Sequence, residues 1–318
     1  MEDIAKTEKK DIGDIQGSAS IDISLDAVLE ALVSGYGSKS VEEDKKKFVQ
    51  LLSNRLKQEI KKKNCAENYN ILIIFDNTRL VKSDSDRIYK AVSVFDKNKP
   101  LLLILLSRGG EPGSAYLIGK LCRESCKGKF VVVIPRYAKS AATLLATAAD
   151  EVHMGSLSEL GPIDPQIDGM PALGLKNSIE HIAKLVSETP GSAEMFARYL
   201  TRAVQPIQIG YYERVAESAT QYAVRLLSSH RDSLKSAPEE IAYKLVYGYK
   251  DHGFVIDKSE AESIFGEKTI KSETEEYLLG NDIYGELSKI ERIANILGYN
   301  FYFIGSSDSS PEFIKKRD

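Results

Sequence analysis

Residues 101–114 read LLLILLSRGGEPGS, and this stretch decides the fold class. Residues 101–106 form a continuous apolar run of strand length, which is typical of a strand buried on both faces of a parallel sheet. Gly109 and Gly110 then allow the backbone to turn sharply. A helical pattern begins at Ser114. The stretch therefore predicts a buried strand, a tight turn and a helix.

The same alternation extends on both sides of this stretch. Apolar runs closed by turn residues predict further buried strands, and apolar residues between them recur at helical spacing. Strands that alternate with helices predict an α/β fold with right-handed crossovers. The predicted strands are 69–75, 101–106, 130–134 and 151–154, and the predicted helices are 83–96, 114–126 and 139–149.

Changes in pattern divide the chain into segments. Residues 1–35 are predicted to be a flexible N-terminal arm, and residues 36–66 an N-terminal helical segment. Residues 67–268 form the predicted core, and after Pro171 this core is mostly helical through Val246. Residues 269–318 are predicted to be an appended helix–strand segment, with 299–304 as an edge strand.

Composition excludes several functional classes. The chain has 318 residues with 43 Lys and Arg against 46 Asp and Glu, a net charge of -3, so it carries no general attraction to nucleic acid. No apolar run approaches the ~18–20 residues that span a bilayer. The N-terminus has no apolar signal region. We expect a soluble, cytoplasmic protein with no transmembrane segment.

Cysteine usage and phosphate motifs give no sign of a cofactor. The chain has 3 cysteines, which is not a disulfide framework. Cys122 and Cys126 are spaced to share a helix face, but small buried side chains are the better interpretation than a metal pair. Residues 107–114 lack the Gly-Lys-Ser/Thr ending of a phosphate-binding loop. We therefore expect no metal and no cofactor.

Two segments carry residues suited to catalysis. In the first, residues 107–114, glycines at a strand-to-helix junction expose backbone N–H groups that stabilise an oxyanion; the alternative is a tight turn with no ligand. The second, residues 135–143, reads PRYAKSAAT and places Ser140 at a helix start. A serine there is ordinarily an N-cap. The small residues Ala138, Ala141 and Ala142 leave room for a substrate beside it.

These segments together resemble a known family. A Gly-Gly loop, then residues 138–150 (AKSAATLLATAAD) and 158–166 (SELGPIDPQ), look like the serine dehydrogenase proteinase branch of the SppA-like peptidases, in the ClpP/crotonase clan. The resemblance covers roughly residues 71–166. It implies an α/β fold with a ClpP/crotonase-like stacked ββα core and additional helices.

The resemblance also implies roles for individual residues. Ser140 matches the family's nucleophile, Gly109 and Gly110 match its oxyanion loop, and the Ala141 N–H is expected as a further donor. Such a hydroxyl needs a base within hydrogen-bond reach. SppA-like enzymes use a lysine whose pKa is lowered by burial. Lys176 is the predicted base, because it follows the Gly-Pro-Ile-Asp-Pro turn.

Other bases remain open. Lys184, His153 and His181 are the alternatives to Lys176. A histidine is not found at the ClpP spacing, where Asp164 stands between prolines and is interpreted as a turn-former. Residues 252–256, which begin with His252, resemble a family turn that contains a histidine, and the sequence assigns it no role.

The implied function is that of a serine peptidase with a Ser-Lys acyl-enzyme mechanism. The resemblance implies a peptide or unfolded-protein substrate and a homo-oligomer. Two alternatives stay open: a catalytically inactive ClpP-fold scaffold that keeps the fold but lacks the base, and an acyl-CoA enzyme of the crotonase type. Labelling by a fluorophosphonate probe would distinguish the peptidase from the other two.

Overall fold

A computed structural model describes residues 23–38, 40–63, 65–167, 170–203 and 206–316. The helices are α1 (Leu25–Tyr36), α2 (Glu42–Lys61), α3 (Cys65–Asn68), α4 (Lys82–Val92), α5 (Pro112–Glu124), α6 (Ala141–Ala146), α7 (Ala172–Glu188), α8 (Ala193–Ala203), α9 (Pro206–Leu227), α10 (Pro238–Tyr247), α11 (Lys258–Phe265) and α12 (Glu275–Ile296). The strands are β1 (Asn70–Asp76), β2 (Leu101–Ser107), β3 (Phe130–Ile134), β4 (Tyr137–Ala138), β5 (Glu151–Met154), β6 (Glu159–Leu160), β7 (Gln166–Ile167), β8 (Met170–Pro171), β9 (Ile256–Asp257), β10 (Ile270–Lys271), β11 (Tyr299–Gly305) and β12 (Glu312–Lys315).

The central sheet is parallel in its middle. Its main path runs β10-β5-β3-β2-β1-β11-β12. Strands β1, β2, β3 and β5 pair in parallel, as the βα alternation predicted. The α/β fold class is therefore confirmed.

Alternating side chains of the central strands build a hydrophobic core on each face of the sheet. Leu103 of β2 and Val132 of β3 belong to the core under α5, α6 and α9. Leu102 and Val131, their neighbours in sequence, belong to the core under α2 and α12. Successive side chains of a strand point to opposite sides, so each strand contributes to both cores. Helices cover both faces of the sheet.

A ladder of very short strands continues from the carboxyl end of β2. Ser107 of β2 pairs with Ala138 of β4, and Ala138 pairs with Leu160 of β6. Leu160 then pairs with Ile256 of β9. The ladder brings three loops that are distant in sequence to one edge of the central sheet.

The two ends of the chain differ from the prediction. Residues 1–22 of the predicted flexible arm lie outside the described residues. The prediction of a flexible arm is wrong for the residues of α1, because Val28 and Leu32 of this helix are fully buried.

The C-terminal segment is not an appendage either. Strand β11 pairs antiparallel with β1 on one side and with β12 on the other, so it lies inside the sheet rather than at its edge. Its buried Phe301 and Phe303 join the core against α2 and α12.

Candidate active site

Ser140 has a strained backbone conformation. It lies between β4 and α6 with φ 52° and ψ −119°. A non-glycine residue with positive φ is uncommon, and such strain costs about 1–3 kcal/mol. Its side chain makes no capping hydrogen bond to α6, so the N-cap interpretation of this serine does not hold. Instead Ser140 lines a cavity of about 640 Å³.

Hydrogen bonds on both sides of Ser140 hold this conformation. The Lys139 N–H donates to the Ser107 carbonyl at 3.0 Å, and the Ala142 N–H donates to the Lys139 carbonyl at 2.8 Å. The Thr143 hydroxyl donates to the Ala138 carbonyl at 2.7 Å. A strained residue persists only where its surroundings fix it in this way.

The glycine loop after β2 lies directly against Ser140. Gly109 has φ 100°, and a Cβ atom built on it would lie 2.6 Å from the Lys139 oxygen and 2.9 Å from the Ala141 nitrogen. Only glycine fits this close approach. The loop is also tied to the segment after β1, because the Leu80 N–H donates to the Gly109 carbonyl at 2.9 Å.

The predicted oxyanion donors divide into two kinds. The Gly109 N–H donates to the Ser107 hydroxyl at 3.1 Å, so it is already used. The N–H groups of Gly110 and Ala141 donate to no described residue. Both residues line the cavity with Ser140. Two backbone donors beside a serine hydroxyl are suited to stabilising an oxyanion.

His252 lines the same cavity and is bonded to a buried carboxylate. Its Nδ1 lies 2.7 Å from Oδ1 of Asp164. The other oxygen of Asp164 accepts a hydrogen bond from Gln166 Nε2 at 2.9 Å. Asp164 is only 7% exposed, and its hydrogen bond raises the pKa of His252 above the ordinary value. With Nδ1 bonded to Asp164, Nε2 is the ring nitrogen left for a proton-transfer partner.

The short-strand ladder explains how these residues come together. Ser140 follows β4, Asp164 follows β6, and His252 precedes β9. Because these strands pair in the order β4-β6-β9, the three residues lie at the same edge of the sheet. Ile163 is held by its N–H, which donates to the Leu245 carbonyl of α10 at 2.9 Å.

The structure does not bring Lys176 to Ser140. Lys176 lies on α7 with its side chain 52% exposed, and its Nζ is 3.5 Å from a carboxylate oxygen of Glu213. It lines a different cavity, of about 310 Å³, which Asp164 also lines. Lys176 therefore does not share the cavity that contains Ser140.

The alternative bases also lie away from Ser140. Lys184 and His181 are exposed on α7. His153 is buried in β5, where its Nδ1 lies 2.7 Å from the Thr274 hydroxyl oxygen. None of these three lines the cavity that contains Ser140.

Lys139, next to Ser140 in sequence, has a structural role. Its Nζ lies 3.0 Å from Glu159 and donates to the Leu160 carbonyl at 3.1 Å. These bonds tie the Ser140 loop to β6. The Lys139 side chain is therefore directed along the ladder of short strands.

Sequence reasoning missed His252 and Asp164 as a pair. They are separated by 88 residues, and Asp164 between two prolines has the pattern of a turn. The available signal was the resemblance of the His252 turn to a family turn. Only the pairing of the short strands shows that His252 is hydrogen-bonded to Asp164.

The described part of the chain has neither a cluster of metal ligands nor a helix suited to span a membrane. No group of three or more His, Cys, Asp or Glu residues there is arranged to hold a metal ion. Among the described helices, none combines the length and apolarity needed to cross a bilayer.

Comparison with curated proteins finds two relatives, both uncharacterized proteins of Methanocaldococcus jannaschii. One is 29% identical over 145 residues, which is 46% of this chain and 50% of the relative. The other is 34% identical over 105 residues, which is 33% of this chain and 36% of the relative. The chain thus spans half or less of the length of the curated relatives it matches.

Comparison with solved structures finds proteases among its matches. A mutant of the 1510-N membrane-bound stomatin-specific protease matches at 12% identity with a TM-score of 0.41, over 70% of this chain and 85% of that chain. A mutant of ClpP1 from Listeria monocytogenes matches at 14% identity with a TM-score of 0.38, over 65% of this chain and 94% of that chain.

Comparison with protein families gives a match over more than half of the chain. The sequence model for the ClpP-like SDH-type serine proteinases covers residues 34–198. This range includes Ser140, the glycine loop and Asp164. The resemblance and the ClpP-like fold class derived from the sequence are confirmed. The chain belongs to the family of ClpP-like SDH-type serine proteinases.

Proposed function

We propose that this protein is a serine peptidase whose nucleophile is Ser140, whose base is His252 and whose orienting acid is Asp164. The hydrogen bond of 2.7 Å between His252 and Asp164, on the wall of the cavity that contains Ser140, carries the proposal. It replaces the predicted Ser-Lys arrangement, because Lys176 lies in a separate cavity.

The mechanism begins with a peptide carbonyl carbon beside the Ser140 hydroxyl. His252 Nε2 accepts the hydroxyl proton as Oγ attacks that carbon. The carbonyl oxygen becomes negative and accepts hydrogen bonds from the N–H groups of Gly110 and Ala141. The Asp164 carboxylate stabilises the imidazolium formed on His252.

Collapse of the tetrahedral intermediate completes acylation. The imidazolium gives its proton to the leaving amine, the peptide C–N bond breaks, and an ester forms on Ser140 Oγ. Water then attacks this ester, and His252 Nε2 takes the water proton. The acid product leaves, Oγ recovers its proton, and the site returns to its starting state.

The substrate class and assembly follow from the family. The substrate is a peptide or an unfolded protein, and the protein acts as a homo-oligomer. Support for the first statement comes from the cavity, which at about 640 Å³ is open to several residues of an extended chain. The cytoplasmic location of the protein remains a prediction from the sequence.

A fluorophosphonate probe tests the proposal. The probe is incubated with the full chain, the modified residue is found by mass spectrometry, and cleavage of quenched peptides and of an unfolded protein is followed in parallel. We expect labelling at Ser140 and cleavage that Ser140→Ala abolishes. Absence of both in an assembled sample would favour the scaffold, and turnover of an acyl-CoA thioester without peptide cleavage would favour the crotonase-type enzyme.

A further inference from the structure

The cavity that contains Ser140 is positively charged. Arg79 and Arg108 line it, and none of the described residues that line it is an aspartate or a glutamate. His252 also lines it but acts in its neutral form, so the two arginines supply the positive charge. The whole chain carries a net charge of -3, so this local excess does not reflect the composition. A cavity lined by one sign of charge concentrates ligands of the opposite sign.

The two arginines follow the carboxyl ends of neighbouring parallel strands. Arg79 follows β1, and Arg108 follows β2, which pairs with β1 in parallel. Just beyond them, Leu80 and Gly110 form a bridge between the two chain segments. The backbones of both arginines are therefore fixed relative to the glycine loop that lies against Ser140.

The turn that carries Arg79 is itself held rigidly. The Thr78 N–H and hydroxyl both donate to the buried carboxylate of Asp76, at 2.7 Å and 2.6 Å. Asp76 is thus used within the turn and does not line the cavity.

Neither guanidinium has an acidic partner within the described residues. Arg108 lies over the ring of Tyr137, 5.9 Å from its centroid. Arg79 is exposed and forms no ion pair with a described residue. By contrast, Arg87 and Arg123 are both paired with carboxylates. A guanidinium matches a carboxylate in charge and geometry, since it donates two parallel hydrogen bonds.

We propose that Arg79 and Arg108 select peptides that carry a carboxylate near the scissile bond. This inference rests on the proposed peptidase function and names its substrate class. The carboxylate comes either from a glutamate or aspartate side chain or from the C-terminus of the peptide. Arg108 directly precedes the glycine loop, so the recognised group lies close to the carbonyl that is attacked.

Matched peptides test the selection. Quenched peptides that differ only in glutamate or glutamine at each position around the scissile bond are prepared with a free or an amidated C-terminus. Wild type, Arg79→Gln, Arg108→Gln and the double variant are compared by kcat/KM. Arg225→Gln is the control, because Arg225 is exposed on α9 and does not line the cavity.

For one of the two carboxylates, we expect wild type and the control to cleave the peptide that carries it with a kcat/KM roughly 10- to 100-fold above that of the matched neutral peptide. This ratio suits a charge-assisted hydrogen bond. In the double arginine variant, the ratio of the two kcat/KM values should fall toward one. Dependence on the glutamate would assign recognition to a side chain, and dependence on the free C-terminus would assign it to the terminal carboxylate. Equal cleavage of all these peptides by wild type would overturn the selection while leaving the peptidase proposal standing.

Binding to the Ser140→Ala full chain separates this inference from the proposed function. Fluorescence anisotropy with the same peptides measures recognition without turnover. If wild type cleaves none of them but the variant binds only carboxylate peptides, and the added arginine substitutions remove that binding, recognition holds and the peptidase proposal fails. If carboxylate peptides bind no better than neutral ones, the selection is wrong whatever the catalytic result.

Discussion

Two cavities are lined by the segment around Asp164, and they are built in different ways. The cavity with Ser140 is lined by segments at the ends of paired strands, where the backbone is fixed by the ladder β4-β6-β9. The cavity with Lys176 is lined by α7 and α10, and its lysine is half-exposed. Strand pairing, rather than closeness in sequence, brings His252 to Asp164. Lys176 is closer to Asp164 in sequence, but the Asp164 carboxylate is hydrogen-bonded to His252.

Replacing the two proposed bases gives the largest expected contrast. His252→Ala should lower kcat/KM for peptide cleavage by on the order of 10⁴- to 10⁶-fold, because Ser140 loses its proton acceptor. Lys176→Ala should stay within about twofold of wild type, as an exposed substitution usually does. Peptide cleavage and the rate of fluorophosphonate labelling measure both. The reverse pattern would restore the Ser-Lys mechanism.

Asp164→Asn should have the next largest effect. It should lower kcat/KM on the order of 10²- to 10⁴-fold, since the imidazolium on His252 loses its stabilising charge. The carboxylate raises the pKa of His252, and the base must be neutral to act. Removing the charge lowers that pKa, so the acid limb of the kcat/KM profile should move to lower pH.

Asp251→Asn is the matched control for this prediction. Asp251 is also next to His252, but it is exposed and its carboxylate accepts from the Gly253 N–H rather than from the imidazole. Its activity should stay within about twofold of wild type, with at most a small shift of the acid limb. An unchanged acid limb in Asp164→Asn would show that His252 is not the group that titrates.

Much of this arrangement could be predicted from the sequence, because local patterns determine it. Buried apolar runs predicted the parallel strands, and the glycine loop and Ser140 each follow such a run directly. The pairing of His252 with Asp164 could not be predicted in this way. It depends on β6 and β9, which are two-residue strands with no periodic pattern. The position of β11 inside the sheet is likewise a tertiary outcome.

The contact between the glycine loop and Ser140 gives a smaller effect on stability. Gly109→Ala places a Cβ at φ 100° against the Lys139 carbonyl, so it should lower the free energy of unfolding by about 1–3 kcal/mol. It should also impair cleavage, because the loop must shift away from Ser140. Gly113→Ala, in the first turn of α5 with no atom within 4 Å of the added Cβ, is the control.

Urea unfolding and peptide cleavage of the two glycine variants decide this prediction. Gly113→Ala should be at least as stable as wild type, since alanine favours a helix over glycine, and it should cleave peptides at the wild-type rate. Equal stability of the two variants would contradict the close approach of Gly109 to the nucleophile.

Strain at Ser140 gives the smallest effect. Ser140→Gly relieves the positive φ, and it should be about 1 kcal/mol more stable than Ser140→Ala, after the entropy cost of glycine is included. Both variants should be inactive, so the difference in their urea midpoints reports the backbone alone. Ser140→Ala at or above the stability of Ser140→Gly would show that residue 140 is unstrained.

The most direct test of the proposed site is a crystal structure of the assembled protein, in which the distance from Ser140 Oγ to His252 Nε2 is measured. We expect hydrogen-bond reach, about 2.6–3.2 Å, with Asp164 on the other ring nitrogen. A lysine ammonium at that distance from Oγ, with His252 turned away from the cavity, would contradict the proposed triad.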